Sequence, residues 1–330
     1  MTVTMICEWA QPRSLDNALA QVCETHIIGA QYAKWQIFDP ARLVTPDAPR
    51  YWGAELGGPA TQRETFEAGG QLTEDEWREV ADACRFRDIE FMATPFDLQA
   101  VTLLERLGVG AYKLASGDIN YKPLVDRVAQ TRKRVFVSTG AASQPEIDRA
   151  LQWLHKCDVV PMACDLVYPC SAASATVGPQ MRRLRDRAVG NYFDIGYSDH
   201  TREVVTGAVA VTHGATVLEK HITLDRDGGC PDDRMALTSY DAQLYRRLAV
   251  DASILNAKVT GDPQAAARVG ARRSAHAARD LPAGHILGVD DVAWLRPAPE
   301  GSIAPTQKIA GRTLTNAIDA GARIDRYDLD

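Results

Sequence analysis

The stretch Arg134-Val-Phe-Val-Ser-Thr-Gly140, followed by Pro145-Glu-Ile-Asp-Arg-Ala-Leu-Gln-Trp-Leu154 and Val159-Val-Pro-Met-Ala-Cys164, holds one full repeat of a pattern that runs through the chain. A short β-branched run reads as a strand, a proline opens an amphipathic helix, and a second apolar run reads as the next strand. Outward from there, similar runs recur at 2–8, 30–37, 89–93, 111–115, 134–139, 159–164, 192–198 and 216–223. Stretches of helical spacing separate them, among them 98–107, 123–131, 145–154 and 203–213. Strand then helix, eight times, predicts an α/β chain folded as a (β/α)8 TIM barrel. The connection 39–72, rich in proline and glycine and holding Tyr51 and Trp52, is longer than a barrel needs. Loops of that length are usually functional or mobile.

A last helix is expected near 241–257, after which the period changes. Leu281-Pro-Ala-Gly-His-Ile-Leu-Gly-Val-Asp-Asp-Val292 is echoed by Ile318-Asp-Ala-Gly-Ala-Arg-Ile-Asp-Arg-Tyr-Asp-Leu329. Each copy reads as a strand, a glycine turn and a short strand, so a small β-rich domain with pseudo-twofold symmetry is expected. The predicted organisation is a barrel at 1–258, a linker at 259–271 and the small domain at 272–330.

The 330 residues are 45% hydrophobic and 24% charged, the balance of a globular chain rather than a disordered or fibrous one. A net charge of -6 leaves no broad basic field, so neither nucleic acid nor a membrane surface is an expected partner. No run approaches ~18 apolar residues, and MTVTMICEWA has no signal-peptide pattern, so a cytoplasmic location is expected. Seven cysteines without a Cys-x-x-Cys pair suggest neither a disulfide framework nor a thiolate zinc site.

In a barrel, residues that close the strands converge on one pocket. That rule selects Glu8; Lys34 and Gln36; Thr94 and Asp97; Lys113, Ser116 and Asp118; Ser138, Thr139 and Gly140; Asp165 and Tyr168; Ser198, Asp199, His200, Glu219 and His221. His200 and His221 lie one βα unit apart, so two imidazoles face each other from neighbouring strands spaced about 4.8 Å. They can share one divalent ion, with water, Glu8, Asp232 or substrate as the other donors; Mn²⁺ or Mg²⁺ is expected, with Zn²⁺, Co²⁺ or Fe²⁺ as alternatives. The competing reading makes one of them a core histidine or an acid/base. Lys34 and Lys113, buried at strand ends, need an anion, and Ser116-Gly117 and Ser138-Thr139-Gly140 offer hydroxyls and amides that suit a phosphate.

Thr94-Pro-Phe-Asp97, Tyr112-Lys-Leu-Ala-Ser-Gly-Asp118, Val137-Ser-Thr-Gly140, Gly196-Tyr-Ser-Asp-His-Thr201 and Leu218-Glu-Lys-His-Ile-Thr-Leu-Asp225 occur in this order over nearly the whole chain. This set resembles the N-acetylneuraminate (sialic acid) synthase family, with its pseudaminic, legionaminic and spore-coat relatives. The tail, with Val292-Ala-Trp-Leu-Arg-Pro297, is similar to their antifreeze-like (SAF) domain. The resemblance implies metal-dependent condensation of phosphoenolpyruvate with a sugar-like aldehyde. It assigns Lys34, Thr94, Lys113, Ser116, Ser138 and Ser198 to phosphoenolpyruvate, and Asp118, Tyr168 and Asp232 to the sugar. Catalytic roles would fall to Glu8, Asp232 and the metal-binding His200 and His221. Arg296 would reach the sugar from the partner's tail in a domain-swapped homodimer.

Departures from the family pattern fall on the sugar side. The loop Glu8-Trp-Ala-Gln-Pro-Arg-Ser14 lacks the family's Asn and His, Leu166 replaces a polar residue, Asp232-Asp233 replaces Asp-His, and Ala298 replaces a glycine. The expected acceptor is therefore not N-acetylmannosamine. Three other readings stay open: another phosphoenolpyruvate condensing synthase, a Schiff-base aldolase with Lys113 as nucleophile, and a catalytically retired barrel that binds a sugar acid.

Overall fold

The computed structural model describes residues 3–188, 194–257 and 260–330. The chain divides into two compact units, Met1–Ala257 and Lys258–Asp330. In the first, eight strands alternate with helices: β1 Thr4–Trp9, β2 Tyr32–Ile37, β3 Glu90–Pro95, β4 Ala111–Leu114, β5 Arg134–Ser138, β6 Asp158–Cys164, β7 Gly196–Asp199 and β8 Val217–Ile222. Every ladder is parallel, in the order β3-β2-β1-β8-β7-β6-β5-β4, and the end strands β3 and β4 lie side by side. This is the (β/α)8 barrel that the alternating pattern predicts. Thr2, Tyr192 and Phe193, expected at strand starts, lie outside the described residues, as do Lys258 and Val259 at the expected domain boundary.

Alternation along each strand sorts side chains between two layers. Met5, Cys7 and Trp9 of β1 and Ala33 and Trp35 of β2 point outward into the layer shared with the helices. There the Trp35 ring packs on Trp77 and Phe91 at centroid distances of 5.8 and 5.5 Å. The indoles of Trp9 and Trp35 are satisfied from helix Leu15–Ile28: Trp9 Nε1 donates to Thr25 Oγ1 at 2.8 Å and Trp35 Nε1 to Gln21 Oε1 at 2.6 Å. Inward-facing Ile6, Met92, Ala111, Phe136, Val160, Met162 and Val217 fill the barrel interior, with Tyr32 against Phe136.

The 39–72 connection is not structureless. It holds helices at Pro40–Leu43 and Gln62–Gly69 and a 3₁₀ turn at Ala54–Leu56. Asp39 and Thr61 cap the two helices with their side chains. No helix among the described residues is long and apolar enough to cross a membrane.

In the second unit, Ser274–Ala277 pairs antiparallel with Val292–Leu295. The stretch expected as a linker carries a helix at Ala265–Ala271. The sequence echo is a structural one: Leu281 and Ile318 exchange both backbone hydrogen bonds at 2.8 Å. Gly284 N–H donates to the Leu314 carbonyl as Gly321 N–H does to that of Ala277, both at 2.8 Å. Both glycines sit at φ near +80°, which a side chain would strain. The second short strand expected in each copy is instead a 3₁₀ turn, Val289–Asp291 and Arg326–Asp328. The carboxylates of Asp291 and Asp328 reach back to the backbone N–H of Gly288 and Asp325 and close the chain into a turn.

Phe136 is fully buried in the barrel interior. Phe136→Ala should lower the unfolding free energy by about 3–5 kcal/mol, measured by urea denaturation; a loss below about 1 kcal/mol would show that the interior is not a packed floor.

Candidate active site at the C-terminal strand ends

The parity that sends Ile6, Tyr32, Met92, Ala111, Phe136, Met162, Gly196 and Val217 into the barrel sends the residue two positions later there too. That next inward layer is polar. Glu8, Lys34, Thr94, Lys113, Ser138, Cys164, Ser198 and Glu219 all line one cavity of about 410 Å³, and Gln36, His200 and His221 stand one step higher. In the ladders, Glu8 is paired with Lys34 and with His221, and Ser198 with Glu219. Ser116, Asp118, Tyr168 and Asp232 join the same cavity from the loops.

The floor of the cavity is a buried charge cluster. Lys34 Nζ donates to Glu8 Oε2 and lies 3.7 Å from Glu219 Oε2, while Lys113 Nζ lies 3.8 Å from Glu219 Oε1. Ser198 Oγ donates to Glu219 Oε1 at 2.9 Å. Burial alone would raise the Glu219 carboxyl, but Lys113, Lys34 and the Ser198 hydroxyl overcome it and hold it at about 2. Burial pulls the Lys113 ammonium down, against the pull of Glu219. Lys113 donates to the Leu114 carbonyl at 3.0 Å, and Ser138 Oγ is buried without a partner. Beside them Gly140 N–H donates to Ser116 Oγ at 2.9 Å; a Cβ on Gly140 would come within 2.9 Å of that oxygen and 3.1 Å of the Cys164 carbonyl, so the close approach needs glycine.

Above this floor the His200 and His221 ring centroids are 5.4 Å apart. His200 Nδ1 faces the Asp165 carbonyl at 2.7 Å, which turns Nε2 toward the Tyr168 hydroxyl at 3.0 Å. His221 Nδ1 is buried with no hydrogen-bond partner, and Asp232 Oδ2 is 3.9 Å from it. Burial pushes His221 down to about 3, so it is neutral and keeps a free lone pair. Burial also opposes charge on His200, but the Cys164 sulfur 3.8 Å away and the Asp165 carbonyl outweigh it and raise that ring to about 9. A cation taking both rings displaces that proton. Among the described residues no three His, Cys, Asp or Glu side chains gather closely enough to hold an ion alone. An unpartnered imidazole nitrogen beside a second ring and a carboxylate fits a divalent ion in an open site, with substrate or water completing it.

Gln36 Nε2 links two of the cavity's carboxylates, Glu8 Oε1 at 3.0 Å and Asp232 Oδ2 at 3.4 Å. Burial raises Asp232, and it raises Asp118 to about 6 against the pull of Lys113. The outer wall is apolar: Phe38, Trp52, Leu56, Phe66 and Leu166 line it together with Tyr51 and Tyr168. Gly53 N–H, donating to the Tyr168 carbonyl at 2.9 Å, ties the 39–72 connection to the β6 loop.

Not every strand-end polar residue enters the cavity. Asp97 caps helix Leu98–Leu107 through the Ala100 N–H, and Asp165 accepts from Thr176 and Gln180 to hold the loop bearing Tyr168. Asp199 points outward to Lys220. Arg296 belongs to the second unit. Sequence reasoning missed Trp52, Phe66, Gln11 and Cys164 as lining residues; the inward parity of β6 (Val160, Met162, Cys164) is the signal that finds the cysteine.

Residues 22–253 match the NeuB family and residues 272–328 the SAF domain. A protein of Methanocaldococcus jannaschii without assigned function is 33% identical over 69% of this chain and 68% of its own length. The N,N'-diacetyllegionaminic acid synthase of Legionella pneumophila is 29% identical over 98% of this chain and 94% of its own. The crystal structure of a sialic acid synthetase from Leptospira borgpetersenii shares the fold, with a TM-score of 0.69 at 24% identity over 81% of this chain and 89% of that one. With a polar inward layer built on the barrel strands and a family match over most of its length, this chain belongs to the NeuB family.

Proposed function

We propose that this protein condenses phosphoenolpyruvate with an aldose-type aldehyde to give a 2-keto-3-deoxy sugar acid and phosphate, using a divalent ion held by His200 and His221. The observation that carries the reading is the spare donor capacity on the cavity floor: Lys113, which spends one N–H on the Leu114 carbonyl and lies too far from Glu219 for a hydrogen bond, and Ser138 Oγ, which has no partner. Both sit one inward step below the two imidazoles. Phosphoenolpyruvate supplies the missing acceptors, its phosphate and carboxylate meeting Lys34, Lys113, Thr94, Ser116, Ser138 and Ser198. The relatives named as sugar acid synthases support the reading.

Charge adds a second argument. Among the described residues lining the cavity, two ammonium groups face four carboxylates, Glu8, Asp118, Glu219 and Asp232. Even with a protonated His200 the carboxylates outnumber the cations, which disfavours a multiply charged anion until positive charge is added. When bound, a divalent cation, Mn²⁺ or Mg²⁺ before Zn²⁺, Co²⁺ or Fe²⁺, supplies that charge and Lewis-acid polarisation of the aldehyde oxygen.

The protein's own groups account for the rest. Lys34 and Lys113 hold the phosphate so that C3 of phosphoenolpyruvate faces the acceptor, and Asp118, Tyr168 and Asp232 orient the aldehyde. C3 bonds to the aldehyde carbon, whose oxygen takes a proton and becomes a hydroxyl. The positive charge left at C2 is faced by Glu8 and Glu219. Water adds at C2 and its proton passes through Glu8 or Asp232 to the hydroxyl formed at the aldehyde carbon; the C2–O bond to phosphate then breaks, the departing phosphate takes the proton of the C2 hydroxyl, and the ketone forms. The apolar wall of Phe38, Trp52, Leu56 and Phe66 supports an acceptor with apolar substituents, distinct from N-acetylmannosamine. Arg296 of a swapped partner's tail would close the acceptor side in a homodimer.

The test is phosphate release from phosphoenolpyruvate across a panel of aldoses and substituted aldoses, with EDTA or with Mn²⁺. Release that needs both aldehyde and metal is expected; release without either contradicts the reading. His221→Ala should abolish metal-dependent turnover and leave the thermal midpoint in EDTA unchanged, whereas retained turnover with metal still bound would remove the two-histidine site. The lowered Lys113 ammonium is also what a Schiff-base aldolase needs. Borohydride with pyruvate should leave the protein mass unchanged, and an adduct on Lys113 would overturn the condensation reading. Arg296→Ala should raise the acceptor KM about 10- to 100-fold, the loss of a charged hydrogen bond; an unchanged value would exclude the tail from the site.

A further inference from the structure

Each of the two imidazoles follows a charged residue by one position. Asp199 precedes His200 at the end of β7, Lys220 precedes His221 on β8, and the two are register partners. Parity turns the histidines inward and the charged pair outward, into the layer between sheet and helices. There Lys220 Nζ lies 2.9 Å from Asp199 Oδ2, and both side chains are 0% exposed. An ion pair taken fully out of water is costly unless further hydrogen bonds satisfy it, and an apolar pair of equal volume would serve the core as well.

The pair also bonds to the segment that follows His200. Lys220 Nζ donates to the Thr201 carbonyl, to Thr201 Oγ1 at 3.2 Å and to the Glu203 carbonyl at 3.4 Å. Asp199 Oδ1 accepts the Thr201 N–H at 2.9 Å, and Oδ2 accepts the Thr206 hydroxyl. The Tyr245 ring of helix Ser239–Leu255 covers the ammonium at 5.2 Å. Gly207 makes room for that ring, since a Cβ there would come within 2.5 Å of it. The loop carrying His200 is thereby bolted to the strand carrying His221, immediately behind both rings.

We infer that the Lys220–Asp199 pair is a positioning strut that sets the separation of His200 and His221, and so the affinity of the site for its divalent ion. The inference rests on the two-histidine metal reading proposed above. Lys220 and Asp199 touch neither ion nor substrate, and act only by holding the two ligand-bearing segments in register.

The test uses the full-length protein and Mn²⁺, with binding followed by the electron paramagnetic resonance signal of the free ion. Lys220→Met and Asp199→Asn should each weaken Mn²⁺ about 10- to 100-fold and raise the Mn²⁺ concentration for half-maximal activity by the same factor. With Mn²⁺ raised above the new dissociation constant, kcat should recover to within a few-fold. A merely structural pair would lower the thermal midpoint in EDTA and leave Mn²⁺ affinity of the folded protein unchanged, and that result overturns the inference. If either variant fails to fold, Thr206→Val decides, since it removes one donor to Asp199 without unpairing the charges. It should weaken Mn²⁺ several-fold, and wild-type affinity would count against the strut. His221→Ala separates the two claims: loss of Mn²⁺ there with normal affinity in the strut variants refutes only the strut, whereas wild-type affinity in His221→Ala refutes the metal reading itself.

Discussion

Glu8, Lys34, Glu219 and Lys113 stand buried side by side at the mouth of the barrel, and no one of them is stable there without the others. Each would pay a desolvation cost of several kcal/mol alone. The strands bring them together because they share one parity and one height, and the apolar layer beneath, from Ile6 to Val217, keeps water from reaching them from below. The proposed anion site, the imidazoles above it and the apolar outer wall are all built on this cluster. Its charges are nearly balanced, so it does not attract an anion by excess positive charge. In the proposed function it holds donors in place for one.

Much of this is written in the order of residues. Alternation alone separates Lys34 from Trp35 and His221 from Lys220, so the strand-end rule collects most of the cavity floor without knowledge of contacts. The same rule overreaches where a strand ends. Asp97 and Asp165 are polar, close to the right height, and spent on a helix cap and a loop. Parity finds Asp199 too, but on the outer face, where its partner Lys220 explains it.

What the residues do not declare locally is the outer wall. Trp52 and Phe66 enter the cavity through a connection whose helices are short and whose path depends on tertiary bonds such as Gly53 to Tyr168. Neither periodicity nor capping predicts where such a segment lies. The tail shows the opposite case: its repeat is plain in the sequence and is met by matched hydrogen bonds at Leu281 and Ile318. The turns at Val289–Asp291 and Arg326–Asp328 still replace expected strands, because an aspartate side chain competes with a ladder for the same backbone N–H.

In the proposed function the floor binds phosphoenolpyruvate together with a cation and not by its lysines alone. Calorimetric titration of phosphoenolpyruvate into the protein, in EDTA and again in saturating Mn²⁺, tests it most directly. Mn²⁺ should tighten phosphoenolpyruvate at least tenfold, a coupling of about 1.4 kcal/mol. Equal affinity in the two titrations would contradict it.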